Sequence, residues 1–168
     1  PAAIALAGER FGGFHALYHV AGGSGRRLGD GPLHELTDEG IRGTLELNLH
    51  SVMLSNRAAV RAFLARGAGG TILNLSSVLA WSPSPAFFAT HAYAAAKAGI
   101  IGFTTAAAAA YAPQGIRCNV LAPALVETPM ARRAAGDERI LAFTRSKQPL
   151  DGGRLHHGQC QEIRQLPC

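Results

Sequence analysis

Short apolar runs alternate along this chain with long stretches of helical periodicity, and that alternation limits the possible folds more than any other feature. Phe14 to Ala21 is rich in strand formers and is closed by Gly22-Gly23. Thr71-Ile72-Leu73-Asn74-Leu75 is a second run, entered through Gly69-Gly70; Ile116 to Leu121 is a third, ended by Pro123. Between the first two, Ile41, Leu45, Leu49, Val52, Met53, Val60, Phe63 and Leu64 recur at helical spacing. Thr37 stands where a cap is needed, with Asp38 and Glu39 in a first turn whose dipole favours acid, and this helix is predicted to run to Ala65 with Gly67 as its stop. A second long helix is predicted from His91 to Ala112, closed by Pro113 and Gly115. Residues 1–11 read as the end of a further helix, and short helical pieces are expected at Pro129–Ala135 and Asp137–Lys147. His156–Cys168 has no clear period and reads as a frayed tail.

Strands joined by crossover helices predict parallel βαβ units, hence an α/β fold with a doubly wound parallel sheet. The near-continuous apolar strands predict a sheet covered on both faces. A length of 168 residues suits one domain, and 48% hydrophobic against 16% charged residues excludes global disorder. Arg, Gly, His or Pro interrupts each apolar stretch before the roughly 18 residues of a membrane-spanning helix. The 16 basic residues comprise 14 scattered arginines and two lysines, Lys97 and Lys147, which points away from nucleic acid as a partner. Three cysteines with no CxxC pair predict neither a disulfide framework nor a metal site, and suggest a reducing, cytoplasmic setting.

Chemistry concentrates around Tyr93-Ala-Ala-Ala-Lys97. Positions i and i+4 share a helix face, and an ammonium near a phenol favours the phenolate, which lowers the tyrosine pKa toward the range of a general acid–base. The spacing alone also describes a surface tyrosine beside a solvated lysine. Ser76-Ser77 stand at the carboxyl end of a buried strand, where open α/β sheets place their sites. Asn48 lies beside the apolar stripe of its helix, where an amide needs partners.

With these residues in view, the chain resembles the short-chain dehydrogenase/reductase family from about Ala7 to Leu155. Ala21-Gly22 matches the end of the family's Asn-Asn-Ala-Gly segment, and Asn48-Leu49 its helical asparagine. Gly69 to Ser77 matches its fifth strand and catalytic serine, Tyr93 to Gly99 its Tyr-x-x-x-Lys helix, and Ile116 to Met130 its sixth strand and the segment after it. The resemblance implies a Rossmann-type sheet and an NAD(P)-dependent oxidoreductase, with NAD or NADP as cofactor. It assigns Tyr93 as acid–base, Ser77 as the donor to the substrate oxygen, and Lys97 as the group that lowers the Tyr93 pKa and holds the nicotinamide ribose. Asn48 would support a water-linked proton path to Lys97. Ala21, Gly22, Pro123, Val126 and Thr128 would contact the cofactor. A small carbonyl or alcohol substrate and a homodimer or homotetramer, associated through the two long helices, are implied in the same way.

His19 and Val20 replace the family's two asparagines, and Ala124 replaces its glycine after Pro123. The family's first strand and its glycine-rich, pyrophosphate-binding turn would lie before Pro1, and the match fades after Leu155. Residues 1–155 are therefore expected to be a partial Rossmann domain and 156–168 an unassigned tail. Gly25-Arg-Arg-Leu-Gly29-Asp-Gly31 imitates the missing turn, but no helix starts until Thr37, so an ordinary loop is expected. Trp81, Phe87 and Phe88 border either a substrate or only their own loop, and His91 is read as a helix-start residue. The alternatives are a non-catalytic fragment without a pyrophosphate site, or an epimerase or lyase on the same fold.

Overall fold

A computed structural model of the chain describes residues 2–126, 128, 131, 134, 136–147 and 163–164. Strands β1 (Ala16–His19), β2 (Gly70–Leu75) and β3 (Ile116–Leu121) lie side by side and parallel, in that order. Leu17 is level with Ile72, and Ile72 with Cys118. Parallel neighbours need crossovers. The helices α2 (Asp38–Leu45) and α3 (Ser51–Arg66) link β1 to β2, and α4 (His91–Tyr111) links β2 to β3. Helix α1 (Ala2–Phe11) precedes the sheet and α5 (Glu138–Lys147) follows it. No helix among the described residues is long and apolar enough to cross a membrane.

Local signals account for most boundaries. Thr37 Oγ1 accepts from Gly40 N at 2.9 Å, the predicted cap of α2. Gly67, at φ +67°, donates to the Phe63 and Leu64 carbonyls and ends α3. The first strand is shorter than the run Phe14 to Ala21, because Phe14 instead stacks on Phe63, with ring centroids 5.2 Å apart.

The single helix expected over residues 37–65 is interrupted. Glu46–His50 forms a π turn between α2 and α3. Asn48 Nδ2 donates to the Thr44 carbonyl at 2.9 Å, taking the acceptor that an α turn offers to the backbone four residues on. The periodic residues accordingly divide: Val52, Val60 and Phe63 are buried, while Ile41, Met53 and Leu64 are exposed.

The sheet is also less covered than expected. Ile72 and Asn74 of β2, and Ile116, Cys118 and Val120 of β3, are buried, while Leu73 and Leu75 are half-buried and Arg117 is exposed. This period-two pattern means one closely packed face among the described residues. The packed face meets Ala59, Val60 and Phe63 of α3, with Ala107, Ala108 and Tyr111 of α4 closing the cluster.

After β3, Asp137 accepts from Arg139 N at 2.9 Å and opens α5, as expected. Instead of a wholly frayed tail, Ile163–Arg164 pairs antiparallel with Val120 and Leu121 as β4. Most of the helical piece expected at 129–135, including Arg132 and Arg133, lies outside the described residues, as do residues 151–162 and both Cys160 and Cys168.

Candidate active site

Four predicted residues converge at the carboxyl ends of the strands. Ser77 ends the extended path of β2 (φ −161°, ψ 151°), and its Oγ accepts from Leu79 N at 3.2 Å, opening a 3-10 turn over Val78–Ala80. Its hydroxyl is near enough to the Tyr93 phenol to lower that group's pKa. Tyr93 and Lys97 lie one turn apart on α4, and Lys97 Nζ is 5.5 Å from the Tyr93 ring centroid. Lys97 is 4% exposed and donates to the Leu75 carbonyl at 2.8 Å.

Asn48 is fully buried and nearly satisfied. Besides its bond to Thr44, its Nδ2 donates to the Gly23 carbonyl at 2.9 Å and its Oδ1 accepts from Gly23 N at 3.1 Å. The neighbouring Gly22 is needed for this approach. A Cβ there would stand 2.8 Å from Asn48 Oδ1 and 3.7 Å from Lys97 Nζ. The turn after β1, the π turn and the first half of α4 therefore meet at one point.

The adjacent serines divide their work. Ser76 Oγ donates to the Lys97 carbonyl at 2.7 Å in a buried setting, which ties β2 to α4. Ser77 faces Tyr93. Beyond the strand ends, Val78 N donates to the Pro123 carbonyl at 3.0 Å, so the Pro123 segment runs beside Ser77. Val126 and Thr128 are half-buried on the same segment, and Thr128 Oγ1 accepts from Ala131 N at 3.2 Å. Ala21 is exposed, and its carbonyl accepts from the His19 ring at 3.2 Å.

One electrostatic expectation is not met. Lys97 does not lower the Tyr93 pKa; burial raises it, and the nearby Ser77 hydroxyl offsets this in part. Burial acts on Lys97 as well and brings its pKa down to about 8. The ammonium lies near the ring and bonds to a backbone carbonyl, so both groups feel desolvation first.

A family model described as enoyl-(acyl carrier protein) reductase matches residues 1–164. The chain belongs to the short-chain dehydrogenase/reductase family. Among curated members, it is 38% identical over 124 residues to cis-4-hydroxycyclohexanecarboxylate dehydrogenase from Sinomonas cyclohexanicum, covering 74% of this chain and 47% of that one. It is 34% identical over 166 residues to cyclohexanol dehydrogenase from an Acinetobacter species, covering 98% and 59%. The chain thus spans about half the length of the relatives it matches. A solved gluconate 5-dehydrogenase from Burkholderia cenocepacia, in complex with NADP and tartrate, superposes with a TM-score of 0.79 at 28% identity, over 92% of this chain and 57% of the other.

The structure also reveals a residue that sequence reasoning passed over. The Gly25–Gly31 segment is a loop with a 3-10 turn at Arg26–Leu28, as expected, but Asp30 within it is buried against α4. Its carboxylate accepts from Ala92 N at 3.1 Å and Tyr93 N at 2.8 Å. The available signal was an acid in a glycine-rich loop that starts no helix of its own. His91, from the same turn of α4, forms a 2.9 Å hydrogen bond with the Gly31 carbonyl, in keeping with a helix-start role. Phe87 packs on Phe143 of α5, with ring centroids 5.3 Å apart, while Trp81 is 42% exposed.

Proposed function

We propose that this chain carries the catalytic part of an NAD(P)-dependent oxidoreductase that interconverts a carbonyl and an alcohol. The reading rests on the buried Lys97 ammonium beside the Tyr93 ring, with the Ser77 hydroxyl near the phenol. Burial keeps the Tyr93 phenol protonated near neutrality, the form that donates to a carbonyl oxygen. The Ser77 hydroxyl is the second donor to the same oxygen. In the oxidative direction Tyr93 takes the hydroxyl proton, and Lys97 then stabilises the phenolate. Asn48 holds Gly23 and supports a water-linked proton path to Lys97.

The residues fit the nicotinamide end of a dinucleotide. Lys97 Nζ uses one of its three protons on Leu75, which leaves donors for ribose hydroxyls. Gly22 leaves room for Asn48 and Lys97 to come together, and by resemblance to the family Ala21, Gly22, Pro123, Val126 and Thr128 would contact that end of the cofactor. When bound, NAD or NADP supplies or accepts the hydride. Relatives named as dehydrogenases at 34–38% identity favour this reaction over an epimerase or lyase. A small-molecule substrate, a cytoplasmic setting and a homodimer or homotetramer belong to the same reading.

Titration of the purified chain with NADH and NADPH, followed by cofactor fluorescence, tests it. Saturable binding is expected, and Tyr93→Phe should cut turnover by about 10²-fold or more with binding retained. No saturable binding would favour the non-catalytic alternative for this chain. Intact turnover in Tyr93→Phe would overturn the acid–base role.

A further inference from the structure

We propose that Asp30 is a positioning residue for Tyr93: its carboxylate, delivered from a distant loop, sets the first turn of α4 and thereby the direction of the catalytic phenol. The inference rests on the acid–base role proposed for Tyr93. Asp30 is 4% exposed, and it is the only buried carboxylate among the described residues. A lone buried carboxylate is costly unless its oxygens are satisfied. Here each oxygen takes one backbone N–H, Ala92 N on Oδ1 and Tyr93 N on Oδ2. These are two of the orphan donors that open any helix, and charge-assisted bonds to them are strong.

The cap that the local sequence offers is not used. Thr90 stands at the N-cap position and its side chain makes no cap hydrogen bond. Without Asp30 the first turn of α4 would fray as helix ends do, and Tyr93 is the third residue of that turn. The loop is itself held firmly. Gly29, at φ +98°, lies so close to α2 that a Cβ on Gly40 would stand 2.5 Å from the Gly29 carbonyl carbon. The same loop begins at Gly23, which Asn48 grips from both sides. Asp30 thus ties the backbone of Tyr93 to the segment that holds the rest of the site.

Both oxygens are engaged, so the geometry needs a carboxylate. An asparagine can accept only one of the two N–H groups, and alanine neither. The test compares Asp30→Ala, Asp30→Asn and Phe63→Leu, the last being a core control at the opposite end of the strands. With a carbonyl substrate and saturating cofactor, Asp30→Ala should lose kcat by about 10- to 10²-fold while the KM for cofactor stays within about twofold. Asp30→Asn should recover part of that loss. Phe63→Leu should lower Tm and leave kcat within about twofold. A drop in Tm for Asp30→Ala with unchanged kcat would reduce Asp30 to an ordinary helix cap and overturn the proposal.

A second measurement needs no turnover. In protein labelled with 13C at the tyrosine ζ carbon, Asp30→Ala should shift the Tyr93 resonance and its titration midpoint, and Phe63→Leu should not. If the wild-type chain proves inactive, the oxidoreductase reading fails and this resonance alone decides on Asp30. An unmoved Tyr93 signal in Asp30→Ala overturns the positioning role.

Discussion

Lys97 shows how one buried charge couples the site to stability. Its ammonium releases a proton near pH 8 in the folded chain, against 10.5 for a free lysine. Between those values the unfolded chain binds more protons, so stability rises with pH across that window, and below it the full cost of burying the charge remains. Wild type should gain about 3 kcal/mol over Lys97→Met between pH 8 and 10.5, read from urea titrations at a series of pH values. Parallel pH dependences in the two proteins would count against a buried ammonium. The adjacent serines separate by the same logic of partners. Ser76→Ala removes a buried bond to the Lys97 carbonyl and should cost about 1–2 kcal/mol in thermal or urea unfolding. Ser77→Ala should leave stability within about 1 kcal/mol and cut turnover by about 10²-fold, because the proposed reaction uses its hydroxyl as a donor to the substrate oxygen.

At the scale of elements, short-range signals were legible and long-range ones were not. Thr37 capping α2, Gly67 stopping α3 and the three strand positions depend on residues within a few places of each other. The bonds between Asn48 and Gly23 span 25 positions, and the Asp30 clamp spans 62 and 63. Nothing in a local pattern encodes such pairings. Strand end and helix spacing place the Ser76-Ser77 pair, Tyr93 and Lys97, and the family resemblance singles out Ser77, whereas the direction of the Tyr93 pKa shift depends on burial that spacing does not report. Two glycines test the packing. A Cβ on Gly70 would stand 2.6 Å from three atoms of the buried Phe63 ring, so Gly70→Ala should cost about 1–3 kcal/mol. Gly102, inside α4 and facing open space, should gain about 0.5–1 kcal/mol as alanine. Urea unfolding of the two variants should shift in opposite directions.

For the whole molecule, polar groups inside the core join the layers. Asn56 of α3 and Asn74 of β2 exchange amide bonds of 2.8 and 2.9 Å, and Asn74 also donates to Thr104 of α4 at 3.0 Å. All three are at most 2% exposed. Asn56→Leu or Asn74→Leu alone strands a buried amide and should cost about 1–3 kcal/mol, while the double change should cost less than the sum. A double-mutant cycle by chemical denaturation would read that coupling, and strict additivity would mean that the pair does not act as a unit. The π turn carries a different consequence, one of chain length. A π turn is an α turn with one residue more, so α2 and α3 form a continuous rod whose two halves are rotated by about 100°. That surplus residue is a reserve. A single deletion between Glu46 and His50 can be absorbed as ordinary α-helix without breaking the rod, but it turns Asn48 away from Gly23. The helix is therefore one residue longer than its own hydrogen bonding requires, and that residue is what brings the asparagine to the site.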